Sequence, residues 1–410
     1  MKQLHILIVF ILLLLTGNSN AQYQGSEMLE GLKKKSFNFD MVNGFIVISA
    51  NYANLLPLRF IVDTGASHNI LFSKNVNDIL GIGYSDTITI GGANFLYEIE
   101  ALVARDIPIS LKNAAPINRD FIVLEKNISK LSEMTGQRID GILGGDFLRG
   151  LAVEFDFCHK SMILHDADRY NKGKDFKEID ITIKSFKPYW KTIVNNKEKK
   201  DSLNFLLDTG ASLSLLIHAG HNNEFVVPEN AYYGSLGNGI SGELTGYVGF
   251  INQLSLGDES IYNVYTSFQE IDTIHQDIEI FRDGIIGSKI LERLDIVIDY
   301  VKEKVYFKPN PRFNNEFKYN RSGMTVVALG DELNEYIVEK VFEGSPAYFA
   351  GVKPNDKIVK IGFWSSRFYD LEGIIKKLSG KAGKRIRMTV KRGEEKIKID
   401  FRLEELASRK

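Results

Sequence analysis

Two aspartates carry the chemistry this chain offers. Asp63 and Asp208 each open the same five residues, Asp-Thr-Gly-Ala-Ser, at 63–67 and 208–212. Two carboxylates brought face to face cannot both ionise, so they share one proton. The ionised member can take a proton from water while the protonated member hydrogen-bonds a carbonyl. Attack by that water gives a tetrahedral diol, and a proton then passes to the leaving amine. The scheme requires no covalent intermediate, no metal and no cofactor. Turn chemistry alone explains an Asp and a Gly in both places, but not Thr and Ala-Ser in both.

The segments that must position the pair are duplicated too. Alternating apolar residues precede each copy: Leu58, Phe60 and Val62 before the first, Leu203, Phe205 and Leu207 before the second. Asp140-Gly141-Ile142-Leu143-Gly144 returns as Asp283-Gly284-Ile285-Ile286-Gly287, 143 residues later. That register continues with Leu148 on Leu291, Phe155 on Ile298, Asp156 on Asp299 and Leu164 on Phe307. Asp156 and Asp299 are assigned to structural turns. Gly65 and Gly210 let the backbone approach the carboxylates and supply amide donors. Ser67 and Ser212 are candidate donors to the outer carboxylate oxygens. A glycine-rich hairpin tip follows each aspartate, starting at Gly91-Gly92 and at Gly237-Asn238-Gly239.

Over residues 40–310 the paired Asp-Thr-Gly motifs, each followed by an apolar-apolar-Gly, resemble the pepsin and retropepsin class of aspartic proteases. Ala66 and Ala211 resemble the retroviral variant. The resemblance implies a mainly β chain with two retropepsin-like β-barrel lobes in a bilobal arrangement. It implies catalysis by Asp63 and Asp208, with Thr64 and Thr209 bonded across the lobe interface. It also implies flaps at the hairpins bearing Gly91, Gly92, Gly237 and Gly239. Pairing of each lobe with a second chain is the other geometry, and the ordinary connection between lobes argues against it.

Beyond the linker at 309–315 the repeat stops. Gly344-Ser345-Pro346-Ala347 and Ala350-Gly351-Val352, with Asp356 and Ile358, resemble the PDZ domains of bacterial envelope proteases. An α+β PDZ domain would cradle a peptide carboxylate on the amides of Gly323, Met324 and Thr325. The peptide would add as a strand against a helix at Leu371–Leu378. The other reading is a PDZ-shaped unit that only packs on the protease body. The expected division is 1–21 signal peptide, 22–170 first lobe, 171–311 second lobe and 312–410 PDZ domain. Residues 22–40 read as a tether or a propeptide.

With 44% hydrophobic and 25% charged residues and a formal charge of −1, the 410-residue chain gives no sign of a nucleic-acid or anionic-membrane partner. Lys2, an apolar run over 4–15 and Ser19-Asn20-Ala21 read as a signal peptide cleaved after Ala21, leaving no stable membrane span. Cys158 is the single cysteine, so no intramolecular disulfide forms. It reads as a buried thiol in a strand. This favours a bacterial periplasmic, envelope or secreted protein. His218 and His221 are a short pair better read as loop histidines than as a zinc site. The functional expectation is an exported aspartic endopeptidase acting on protein or peptide substrates. The alternative is a non-catalytic peptide-binding or sensor protein on the same scaffold.

Overall fold

The computed structural model describes residues 25–405 apart from 92–97, 127–129, 197–198, 220–224, 230, 240–241 and 271–280. The expected signal segment, Gly92 and His221 therefore lie outside the described residues. Among the described residues no helix is long and apolar enough to cross a membrane.

The chain is mainly β, and its two halves repeat one topology. In the first, the strands run in the order Asp40–Val42, Phe45–Tyr52, Leu56–Val62, Gly141–Leu143, Asn69–Leu71, Ile117–Leu124, Glu98–Leu111 and Asp86–Gly91. In the second, the order is Thr182–Lys184, Lys187–Asn196, Lys199–Asp208, Gly284–Gly287, Leu215–Ala219, Glu259–Glu270, Gly242–Leu256 and Tyr232–Gly239. Each eight-stranded sheet curls back on itself. Ala50 pairs with Leu111 in the first and Val194 with Leu254 in the second. This closure shields strand edges that would otherwise template wrong pairings.

Strand formation follows from a period of two with both faces buried. Ile46, Ile48, Ala50 and Tyr52 enter the large core, while Phe45 and Val47, at the alternate positions, enter a smaller cluster on the opposite face. Leu58, Phe60 and Val62 likewise face the large core, with Ile61 turned away.

A six-stranded sheet joins the halves. Its order is Lys34–Asn38, Ser161–Asp166, Leu151–Asp156, Leu294–Asp299, Lys304–Pro309 and Lys177–Asp180. The central pair is antiparallel, with Val153 opposite Ile298 and Phe155 opposite Ile296. Residues 34–38 are thus a strand of the body, and Met28 and Leu29 are buried in its core. That corrects the tether expectation for this stretch. Asp156 accepts the His159 amide at 2.9 Å, and Asp299 accepts those of Val301 and Lys302, so both close hairpin turns. Cys158 sits in the first of these turns, half-buried, rather than inside a strand, because the Asp156 turn ends the strand two residues earlier.

The C-terminal unit has its own core and sheet. The strand order is Met324–Leu329, Glu335–Val341, Lys357–Ile361, Arg385–Arg392 and Glu395–Arg402. The helix Leu371–Leu378 is capped by Asp370, whose side chain accepts the Gly373 amide at 2.8 Å. It buries Leu371, Ile374 and Leu378. The unit rests on the body through Tyr319, which stacks on Tyr265 with ring centres 4.4 Å apart.

One core runs through both halves and the joining sheet, so the body is expected to unfold as a unit. Phe155→Ala should lower its unfolding free energy by about 3–5 kcal/mol. In urea, probes in the two halves should shift together; separate transitions would show that the joining sheet does not couple them.

Candidate active site

Each Asp-Thr-Gly turn is held by the apolar-Gly segment of its own half. Asp63 donates its amide to Leu143 O at 2.9 Å. Asp140 exchanges two bonds with Arg59, donating its own amide to Arg59 O and accepting the Arg59 amide on Oδ2. Asp283 makes the same two bonds with Asn204. These acids tie two strands together, which accounts for their recurrence without a catalytic role. Asn69 adds a link in the first half, accepting the Gly144 amide and donating to Asp146. Gly144 has no room for a side chain, since a Cβ there would lie 2.5 Å from His68 O.

The two turns then lock to each other. The Thr64 amide donates to Thr209 Oγ1 at 3.1 Å, and the Thr209 amide donates to Thr64 Oγ1 at 3.0 Å. Thr64 Oγ1 donates onward to Leu207 O and Thr209 Oγ1 to Val62 O, both at 2.7 Å. Both threonines are fully buried. The lock places Asp63 and Asp208 within hydrogen-bonding reach of each other. Each carboxylate also lies over the other turn's glycine. A Cβ on Gly65 would sit 2.4 Å from Asp208 Cγ, and one on Gly210 would sit 2.2 Å from Asp63 Cγ.

Asp63 Oδ1 accepts the amides of Gly65 at 2.8 Å and Ala66 at 2.9 Å. Asp208 accepts those of Gly210 at 2.8 Å and of Ala211. Ser67 and Ser212 make no hydrogen bond to either carboxylate among the described residues. The backbone amides fill the role expected of their hydroxyls. Burial raises both carboxyls above the usual range. For Asp63 the charge and the hydrogen bond of Asp208 push further up, and its carboxyl stands well above the ordinary value. For Asp208 the hydrogen bond from Asp63 and the nearby Arg282 guanidinium pull back down. The Arg282 guanidinium, which feels Asp208 more strongly than Asp63, thus favours the charge on that member of the pair.

Two cations near the pair have no counterpart in the sequence reading. Lys187 and Arg282 are half-buried and lie close enough to feel the charge of both aspartates. The signal was present as a break in the repeat: Ile139 precedes Asp140, whereas Arg282 precedes Asp283.

Of the hairpin glycines, Gly91 is the last paired residue of its strand, opposite Glu98. Gly237 follows a β-bulge and Gly239 pairs with Gly242. These three are strand residues at the base of the tips. His218 is buried with Nε2 facing Arg282 Nε at 3.4 Å, a neighbour that disfavours a bound cation. Asp156, Cys158 and Asp295 bring ligand-type atoms within 4.8 Å of one another on the joining sheet, where Lys308 already pairs with Asp295.

In the C-terminal unit, Met324 donates its amide to Ser322 Oγ, and Gly323 is packed against Ser345. The strand Met324–Leu329 is an edge strand, and the short helix Leu131–Thr135 of the first half packs on it. Gly136, in the left-handed conformation that ends this helix, leaves room for only 2.9 Å between an added Cβ and Leu371 Cβ. The groove between strand and helix is thus occupied by the chain itself.

Residues 48–147 match the family model described as Aspartyl protease. The carboxy-terminal processing protease CtpB of Bacillus subtilis (strain 168) is 36% identical over 75 residues, 18% of this chain and 16% of that protein. A probable CtpA-like serine protease of Staphylococcus aureus (strain COL) is 26% identical over 169 residues, 38% of this chain and 32% of that protein. The chain therefore spans less than a third of the length of either relative. The crystal structure of an aspartic proteinase from Irpex lacteus aligns with a TM-score of 0.42 and 13% identity, covering 69% of this chain and 99% of that one.

Thr64→Val keeps the shape of the lock but orphans the Thr209 amide and Leu207 O. At about 1–3 kcal/mol per buried orphan, the body should lose about 2–4 kcal/mol in chemical denaturation. Thr64→Ser, which retains the hydroxyl, should recover most of that loss. Equal losses in the two variants would mean that packing of the threonine methyl, not the exchanged bonds, holds the turns.

Proposed function

We propose that this chain is an exported aspartic endopeptidase in which one active site forms between the two halves. The observation that carries the reading is the hydrogen-bonded Asp63–Asp208 pair, each member held by two amides of its own turn. Asp208, holding the charge, takes a proton from a water placed between the carboxylates. Asp63, holding the proton, hydrogen-bonds the substrate carbonyl as the oxyanion develops. The diol then collapses as the dyad protonates the leaving amine. The Aspartyl protease match over residues 48–147 supports this for the first half. Duplication of the motif extends it to the second. The serine-protease name belongs to a relative of which this chain covers 32%, and here the paired groups are carboxylates. The hairpins based at Gly91 and Gly239 are the proposed flaps. Export is supported by Lys2 and the apolar run over 4–15.

Asp63→Asn and Asp208→Asn should each lower turnover of denatured casein by at least about 10³-fold with the fold retained by circular dichroism, since the dyad acts as a unit. Because both carboxyls are raised, the pH–rate profile should sit above the ordinary carboxylate range. Its alkaline limb falls as Asp63 loses its proton. Wild-type-like turnover in either variant would remove the dyad as the catalytic centre, and no turnover by the wild type would favour the sensor.

The C-terminal unit is proposed as a PDZ-like module whose peptide groove is latched by residues 131–136. A peptide adding beside Met324–Leu329 must displace that segment. Gly136→Asp, which forces it off Leu371, should raise the affinity for peptides ending in a free apolar carboxyl terminus by about tenfold or more, about 1.4 kcal/mol. Unchanged binding by calorimetry would leave the unit a packing domain only.

A further inference from the structure

The two halves are equivalent in backbone and unlike in the side chains that flank the dyad. Phe72 donates its amide to Asp140 O, and His218 donates its amide to Asp283 O, so these two positions correspond. Val47 pairs with Ile61 and Tyr189 with Leu206 at matching places in the repeat. Phe45 and Lys187 each open the second strand of their half. Ile139 and Arg282 each precede the Asp-Gly segment. In the first half all four positions, Phe45, Val47, Phe72 and Ile139, are apolar and buried in one cluster. In the second they are Lys187, Tyr189, His218 and Arg282. That substitution replaces a closed apolar wall with two cations, a phenol and an imidazole.

Burying cations is costly unless an anion compensates. Among the described residues neither Lys187 nor Arg282 forms an ion pair with a carboxylate of its own. The anion within reach is the dyad. A singly protonated dyad carries one negative charge, and two cations beside it leave one positive charge unmatched. Tyr189 stacks edge-on to Phe281 at 4.9 Å, and Lys184 lies 4.3 Å over the same ring, so this side is walled and cationic.

We infer that Lys187 and Arg282 form an anion-accepting wall of the substrate cleft, selecting an acidic residue close to the scissile bond on the second-half side. The inference rests on the proteolytic reading of the dyad. A glutamate or aspartate carboxylate bonded to the Arg282 guanidinium supplies the missing charge, and the planar fork of arginine suits a carboxylate. Lys187 adds a second positive charge without fixing geometry. Aspartate and glutamate are the chemical class expected; an apolar side chain there would leave one positive charge uncompensated.

The test is a set of short peptides in which one glutamate is scanned across the positions flanking the cleaved bond, each paired with its glutamine isostere. At one position kcat/KM should favour glutamate by about 10- to 100-fold, the scale of a charge-assisted hydrogen bond. Lys187→Met and Arg282→Met should each shrink that ratio toward one, while Arg282→Lys keeps part of it. The ratio cancels any shift of the dyad's own titration, which acts on both peptides alike. A ratio near one at every position, or one unchanged in both methionine variants, would overturn the inference. Equilibrium binding of the same pair with the scissile amide reduced separates this from the proteolytic reading. A glutamate preference in binding without cleavage of any peptide would keep the anion wall and remove the protease. Cleavage without preference would remove the wall alone.

Discussion

The exchange of hydrogen bonds between Thr64 and Thr209 is the constraint on which the rest of this molecule depends. Each buried amide is satisfied by the hydroxyl of the other half, and each hydroxyl in turn donates to a carbonyl of the half opposite its own. Buried polar groups left unpaired are expensive, so the two turns stay in register. With the turns fixed, the carboxylates have no freedom to separate. The glycines at 65 and 210 are the price of that closeness, because any side chain there would strike the opposing carboxylate.

Electrostatics then divides the labour between two chemically identical residues. Asp208 is buried and Asp63 half-buried, and both accept amides, yet Asp63 faces the charge of Asp208 while Asp208 also faces Arg282. A two-fold arrangement of backbone thus acquires a direction from one side chain. The same guanidinium that marks Asp208 as the charged member belongs to the wall inferred to read the substrate, so protonation and selectivity are linked through Arg282.

The joining sheet and the C-terminal unit show how the frame is held. Leu151–Asp156 and Leu294–Asp299 lie side by side at the centre of a sheet that neither half could build alone. The C-terminal unit has an independent core, but its edge strand is covered by the first half. An exposed edge is a pairing hazard, and residues 131–136 pack on it.

Periodicity and duplication made much of this legible without coordinates. Asp63, Thr64 and Gly65 recur as Asp208, Thr209 and Gly210 because close packing on a two-fold axis leaves those positions no chemical latitude. Alternation in 56–62 and 199–208 announces strands because side chains on a pleat must alternate. Residues 28–38 gave no such sign: a polar edge strand owes its place to hydrogen bonds with Ser161–Asp166 rather than to a pattern of its own. Only the tertiary structure decided that backbone amides, not Ser67 and Ser212, hold the carboxylates, since hydroxyl direction depends on the turn's local path. Only it decided that Lys187 and Arg282 gather on the dyad, because the strand that Lys187 opens and the strand that follows Arg282 are far apart in the chain and meet in one sheet. The sequence by itself determined which groups can react; the three-dimensional packing made two equal aspartates unlike, because it set the charges that each one faces.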